Sequence, residues 1–314
     1  MSIGEPSDLT AAAVRALEVA AGSGARPAIA WAPGRCTLVG EHVDYAGGQV
    51  LCIGVDRGIA AAVRTSATGR FLAASGGAVV SRLDALPVGD IGDRVFAPVI
   101  ALRDRGITVP AIEVGIAATL PAGAGLASSA SLIIAVTTAI LRMLGETMTA
   151  QDLAAAALHA ERDVVGVPCG PLDQRAVIDA PTGGALLLDC RSGAETAVPW
   201  PWAEVVLLGC DTGVQHDVGG VEYRRRREET ESGLEAVGVT SCQDLRAEAI
   251  DSAALDPAVR RRLQHVLGEN RRSLEAAEAL RRGDVEALGG LMSASHRSLR
   301  DLHEVSTPAL DAVV

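Results

Sequence analysis

Pro121-Ala122-Gly123-Ala124-Gly125-Leu126-Ala127-Ser128-Ser129-Ala130-Ser131 is the stretch on which the reading of this chain turns. It follows a strand-like run, Ile112 to Ala118, and leads into an apolar run of helix length from Leu132 to Leu144. Gly123 and Gly125 carry no Cβ, so the backbone there can turn tightly and bring its N–H groups close to an anion. The helix that follows adds unsatisfied amides and the positive end of its dipole. Strand, glycine turn and helix start together predict a phosphate site; the plain alternative is an ordinary strand-to-helix turn capped by serine. A Walker loop is excluded because the chain contains no lysine.

A length of 314 residues allows roughly two domains with a sizeable core. Hydrophobic residues make up 48% of the chain, yet no uninterrupted apolar run approaches the roughly 20 residues that cross a bilayer. The first residues carry Glu5 and Asp8 rather than basic side chains, so no secretory leader is expected, and the expectation is a soluble cytoplasmic protein without a membrane partner. Cys36, Cys52, Cys169, Cys190, Cys210 and Cys242 are scattered without a C-x-x-C pair, which predicts free thiols and neither a zinc site nor a disulfide framework. The net charge of −11 and the glutamates that follow Arg224 to Arg227 argue against a nucleic acid partner. A monomer is the default expectation. Aromatic residues are only 2% of the chain, which makes Tyr45 and Tyr223 more informative than usual.

Residues 8–22 have helical spacing, with Leu9, Val14, Leu17 and Val19 apolar and Gly22 to Pro27 as the stop. Strands are predicted at Ala28 to Trp31, Cys36 to Val39, Val50 to Val55 and Ile59 to Val63. Residues 65–95 read as strand and loop, and Val99 to Arg105 as a short helix. Gly145 stops the helix after the glycine loop, and Thr149 with Asp152 resembles a capping box ahead of a helix over Ala150 to Val164. Gly166 to Gln174 is a Gly/Pro-rich loop carrying Asp173, Ala185 to Asp189 is strand-like, and Val205 to Cys210 reads as a buried strand. Beyond it helices are expected at 219–235, 256–282 and 284–302, with a domain boundary placed near 195.

Phosphoryl transfer needs a phosphate cradle, a divalent cation, positive charge and a group to deprotonate the acceptor. Ser129 at the helix start and Glu161 on the next helix offer hard oxygens of the kind Mg²⁺ takes, although a helical glutamate is more often simply solvated. Asp173 could accept a proton from a hydroxyl and Arg35 could neutralise charge near it; the plain alternative for Asp173 is a turn-stabilising role. Glu41, His42 and Asp44, in one glycine-flanked loop, form a dense set of donors and acceptors suited to a sugar.

Gly34-Arg35-Cys36-Thr37-Leu38-Val39-Gly40-Glu41-His42-Val43-Asp44-Tyr45-Ala46-Gly47-Gly48 resembles the galactokinase signature, and the 121–131 loop resembles the ATP motif of the wider GHMP small-molecule kinases. Val165 to Gln174, Cys210-Asp211-Thr212-Gly213 through Tyr223-Arg224-Arg225-Arg226, and Glu304 to Asp311 agree with the same family in order and spacing. The resemblance implies an α+β fold of two domains, 1–195 like ribosomal protein S5 domain 2 and 196–314 ferredoxin-like. It implies that Asp173 is the catalytic base on the anomeric hydroxyl of galactose, assisted by Arg35. Glu41, His42, Asp44, Gly170 and Tyr223 would face the sugar. Gly123, Ala124, Gly125, Leu126, Ala127, Ser128 and Ser129 would hold ATP, with Ser129 and Glu161 at Mg²⁺.

Several positions depart from the family pattern: Thr37, Val43 and Ala46 in the signature, and Gln215 where a basic residue is common. The sequence stops at Val314 before a third glycine motif, so the second domain is expected to be truncated. Three readings follow: a galactokinase, a related kinase for another sugar, and a non-catalytic sugar- or ATP-binding protein.

Overall fold

The computed structural model describes residues 7–121, 123–181, 183–214 and 220–314; Glu5, Ala122 and Gln215 lie outside them. The chain compacts into two units, the first comprising residues 1–35, 54–169 and 173–179, the second residues 36–53, 170–172 and 180–314.

In the first unit, α1 (Ser7–Ala21) buries Leu9, Ala13 and Leu17, a spacing of four that keeps one face inward. Val19 falls off that face and is exposed. β1 (Ala28–Val39) and β2 (Gln49–Thr65) are each continuous where the sequence predicted pairs of shorter strands. The reason is visible at Gly58: an ideal Cβ there would lie 2.4 Å from both Ala32 O and Trp31 Nε1. That glycine marks close approach of another backbone rather than a turn. β3 (Phe71–Ser75) and β4 (Ala78–Arg82) form a hairpin across Gly76 and Gly77, both with positive φ, and this hairpin fills part of the 65–95 region.

Helix α2 (Asp93–Arg103) starts earlier than expected and runs through Pro98. Proline costs a helix a hydrogen bond, but Val95, Phe96, Val99 and Leu102 are all buried, and packing outweighs the local penalty. β5 (Ile112–Ala118) lies antiparallel to β2 and parallel to β3. α3 (Ser128–Leu144) ends on Gly145 with φ 72°. α4 (Ala150–His159) is capped by the Thr149 side chain, which accepts from Asp152 N, and a π-helical turn continues it over Ala160–Val164. α5 (Leu172–Asp179) follows. Phe71, Phe96, Leu102, Ile112, Ile133, Ile140 and Val177 lie in one core cluster.

In the second unit, the first residues of β2 pair antiparallel with β6 (Gly184–Asp189), from Gln49 opposite Asp189 to Ile53 opposite Ala185. β6 pairs in turn with β7 (Glu195–Pro199). Beyond β7, the helices among the described residues are α6 (Val221–Ala236), α7 (Ala247–Ser252), α8 (Pro257–Arg282), α9 (Val285–Ser298) with a π-helical turn over Leu299–His303, and α10 (Pro308–Asp311). Gly283 closes α8 with φ 70° and Asp284 caps α9, as the Gly-Asp break predicts. Leu38, Leu51, Leu187, Val198, Ala276 and Leu280 form the core here, with Trp200 and Trp202 against it.

Residues 205–210 correct the sequence reading: they are neither strand nor buried, and Leu208 is 82% exposed. Apolar β-branched composition is a local preference, whereas a strand needs a neighbouring backbone to complete its ladder, and among the described residues none pairs with this segment. All six cysteines are unbridged. No helix of the described residues is long and apolar enough to cross a membrane.

Two expectations test this account. An ideal Cβ on Gly115 of β5 would sit 2.2 Å from Ala13 O and 2.6 Å from Leu17 N of α1. Gly115→Ala should therefore cost about 1–3 kcal/mol, read as a lower midpoint in urea unfolding; an unchanged midpoint would mean that α1 does not seat on this glycine. Between α4 and its neighbours, His159 bonds Asp104 through Nε2 and Asp163 through Nδ1, each at 2.9 Å. The Asp104 and then the Asp163 bond raise the imidazole above its ordinary value. Its contribution is fully present below about pH 6.5 and is lost as pH rises through the raised folded value. His159→Gln should lower the melting temperature at about pH 6 and hardly at about pH 9; equal losses at both would exclude a charged staple.

Candidate active site

The first unit carries the glycine loop and its attachments. Gly123 and Gly125 both have φ 73°, and Ala127 is held at φ 58°, a left-handed conformation that costs a residue with a Cβ roughly 1–2 kcal/mol. Ala127 is the N-cap of α3 and no side chain caps the helix there, so its first amides are not taken by serine. The loop is pinned from β1. Arg35 N donates to Leu126 O at 3.2 Å, Arg35 Nη1 donates to Gly125 O at 2.6 Å, and Ser131 Oγ donates to Pro33 O at 2.6 Å. Gly34 permits this approach, since a Cβ would lie 2.8 Å from Leu126 O.

Arg35 also holds Asp173. Its Nε and Nη2 donate to Asp173 Oδ1 at 2.9 and 2.5 Å across 138 residues of chain. The carboxylate side chain remains 28% accessible, and Oδ2 makes no hydrogen bond among the described residues. One oxygen is fixed and charge-balanced while the other makes no hydrogen bond among the described residues, an arrangement able to take a proton from a hydroxyl. Asp173 does not sit in a loop, as the Gly/Pro-rich sequence implied, but in the first turn of α5. A proline beside a helix start is compatible with that turn because its missing N–H has no intrahelical partner there.

Glu161 lies in the π-helical turn after α4 and is buried. Burial pushes its carboxyl up, the Ser129 hydroxyl bond pulls it back, and the Asp173 charge adds to the rise. Gln174 Nε2 donates to Glu161 Oε2 at 2.7 Å. Single π turns recur where function requires a side chain to be re-aimed. The desolvation of Glu161 is a cost that a cation would offset, and Mg²⁺ commonly takes one or two protein oxygens beside phosphate and water. The Ser129–Glu161 pair fits such an ion. No cluster of three acidic, histidine or cysteine ligands occurs among the described residues.

The second unit carries the signature loop. Gly40 has φ 116° and His42 φ 63°; Val43 and Ala46 are buried, and Gly48 N closes the turn on Val43 O at 2.8 Å. Helix α8 grips both ends of the loop. Glu269 Oε1 accepts from Gly40 N at 2.8 Å, His265 Nε2 donates to Glu41 O at 3.0 Å, and Asn270 Oδ1 accepts from Gln49 N at 2.8 Å. Glu269 is wholly buried and also accepts from Ser295 Oγ and Arg272 Nε. Asp44 packs on Gly170 so closely that a Cβ there would lie 2.0 Å from Asp44 Oδ2. His42 sits 5.4 Å from Tyr223 and 4.4 Å from His303, ring centre to ring centre. Tyr45 OH lies 3.2 Å from His42 Nδ1 and 3.4 Å from His303 Nε2. Burial, then the neighbouring His42 and His265, hold the His303 imidazole well below its ordinary value. A cavity of about 380 Å³ is lined by His42, Tyr223, Glu222, Arg226, Glu304 and Ser306 among others.

The sequence matches the family described as GHMP kinases N terminal domain over residues 94–179 and the galactokinase galactose-binding signature over residues 20–65. A galactokinase of Thermotoga maritima is 34% identical over 283 residues, spanning 90% of this chain and 80% of that protein. One from Roseiflexus sp. (strain RS-1) is 35% identical over 299 residues, spanning 90% and 75%. This chain belongs to the galactokinase family of GHMP kinases. The structure of Lactococcus lactis galactokinase complexed with galactose superposes with a TM-score of 0.86 at 27% identity, over 97% of this chain and 82% of that one. Methanococcus jannaschii mevalonate kinase, at 14% identity and a TM-score of 0.58, shares the fold. The α+β GHMP kinase architecture expected from the motifs is therefore the one present.

The residues singled out in the sequence fall into two sets. Arg35, Asp173, Glu161 and the 123–129 loop gather in the first unit; Glu41, His42, Asp44, Gly170 and Tyr223 belong to the second. Sequence reasoning missed Arg94, whose Nε donates to Ser129 Oγ at 3.0 Å, and Gln174, His265, Glu269 and His303. Gln174 adjoins Asp173 and was within reach of the motif; nothing in the local sequence distinguishes the others from ordinary helical residues.

Removing the Glu269 carboxylate would strand Gly40 N–H, Ser295 and Arg272 without it. Glu269→Ala should cost about 3–5 kcal/mol and speed amide exchange over residues 40–49. Unchanged exchange in that segment would show that α8 does not hold the loop.

Proposed function

We propose that this chain is an ATP-dependent kinase that transfers the γ-phosphoryl group to the anomeric C1 hydroxyl of D-galactose, yielding galactose 1-phosphate and ADP. The observation that carries this reading is Asp173, anchored through Oδ1 by Arg35 and open at Oδ2, in the unit that bears the glycine loop. Family membership and the galactose-binding signature supply the substrate class.

Asp173 Oδ2 takes the proton of the C1 hydroxyl as its oxygen forms the bond to the γ-phosphorus; the bond to the bridging oxygen breaks, ADP departs, and the proton passes from Asp173 to solvent. Arg35 holds the carboxylate oriented before the transfer. Gly123 to Ser129 offer backbone N–H groups and the start of α3 to the phosphates. Glu41, His42, Asp44, Gly170 and Tyr223 bind the sugar hydroxyls, and the close packing at Gly170 leaves no space there for a side chain. Ser129 and Glu161 would hold Mg²⁺, which supplies charge neutralisation on the transferring group. Residues 1–195 form the kinase N-terminal domain and 196–314 the C-terminal domain, a boundary supported by the family match ending at residue 179; the compact units divide the chain differently because residues 36–53 fold with the C-terminal half. Six unbridged thiols suit a reducing, cytoplasmic setting.

A sugar panel with ATP and Mg²⁺, followed by ADP release, tests the proposal. Galactose should be the turned-over hexose, and Asp173→Ala should lower kcat by about 10²–10⁴-fold or more. Turnover of another hexose but not of galactose would replace the substrate; sugar binding without any turnover would replace the enzyme by a sensor.

A further inference from the structure

We propose that Arg94 is a nucleotide-phosphate ligand, supplying the side-chain positive charge that the glycine loop itself lacks. The inference rests on the reading of that loop as an ATP site. Phosphoryl transfer calls for cationic side chains around the β- and γ-phosphates, and this chain has no lysine with which to provide one. Arg35 bonds to the loop, but its guanidinium is committed: Nε and Nη2 to Asp173 Oδ1 and Nη1 to Gly125 O. It serves the base rather than the nucleotide.

Arg94 is differently placed. It lies in the first turn of α2, exposed between the buried Asp93 and Val95, and reaches the first turn of α3, where Nε donates to Ser129 Oγ at 3.0 Å. Nη1 and Nη2 make no hydrogen bond or ion pair among the described residues. Its positive charge is felt by the buried Glu161. An arginine whose only bond is through Nε presents its remaining donors as a fork, the geometry that matches two phosphate oxygens. It stands beside the Ser129 hydroxyl, at the N-terminus of the helix whose amides are unused by a side-chain cap. A purely structural tie between α2 and α3 would need only the Nε bond and would leave the fork without a task.

Equilibrium binding of MgADP and AMP by wild type, Arg94→Ala and Arg94→Lys decides the matter, alongside steady-state kinetics. Arg94→Ala should weaken MgADP and raise KM for ATP about tenfold or more, the effect of losing a charge-assisted contact. It should leave AMP affinity, KM for galactose and the melting temperature close to wild type. Arg94→Lys should recover most of the loss, because a point charge meets much of the requirement. Unchanged MgADP binding in Arg94→Ala, or equal weakening of MgADP and AMP, would overturn the assignment in favour of a structural tie. If wild type binds MgADP but phosphorylates no hexose, the kinase reading fails while the Arg94 comparison still stands or falls on MgADP. If wild type does not bind MgADP, the loop reading and Arg94 fall together.

Discussion

A single guanidinium sets the geometry of the first unit's chemistry. Arg35 meets Asp173 with two donors and the glycine loop with two more, one from its side chain and one from its backbone. The ion pair is only partly buried, so its worth as a stabilising contact is modest. Its value is positional: Asp173 and the glycine loop are referenced to the same residue of β1, and neither can shift without disturbing the other. Gly34 makes this possible by letting β1 approach Leu126 O more closely than any side chain would allow.

The second unit solves a different problem with buried polarity. Glu269 and His265 of α8 are buried beneath the signature loop and spend their hydrogen bonds on its backbone at Gly40 and Glu41. A buried carboxylate is expensive unless its oxygens are hydrogen-bonded, and both oxygens of Glu269 are, by a backbone amide, a serine and an arginine. His265 has its imidazole held low by burial; uncharged, it can donate to Glu41 O while accepting from Ser298 Oγ. Such a network fixes a loop whose own composition, rich in glycine, would not hold one shape.

Departures from regular backbone geometry concentrate at these sites. Among the described residues, the left-handed non-glycine residues are His42, Ala127 and Glu304, and the π-helical turns hold Glu161 and His303. His42 belongs to the signature loop and Ala127 to the glycine loop, and Glu304 lines the cavity beside His42. Strain of this kind persists where the surrounding structure over-determines it, here through the β1 attachments of one loop and the α8 attachments of the other.

The features legible in the sequence alone are those that local physics governs. The ends of α3, α4 and α8 follow from Gly145, Thr149 and Gly283, because caps act within a few residues of the termini they satisfy; the limits of β5 and the phosphate loop follow from apolar runs and glycines. The family, too, was legible, since its motifs are short and contiguous. Tertiary structure alone decided the rest. Val205 to Cys210 has the composition of a strand but no pairing backbone among the described residues; Pro98 lies inside a helix because its neighbours are buried; and Gly58 marks a close approach inside the one strand that the sequence divided between Val55 and Ile59. The partners that fix the loop of each unit, Arg35 with Asp173 in the first and Gly40 with Glu269 in the second, are 138 and 229 residues apart. No local pattern encodes such pairs, because a hydrogen bond depends on where two atoms meet in space and not on what precedes either of them in the chain.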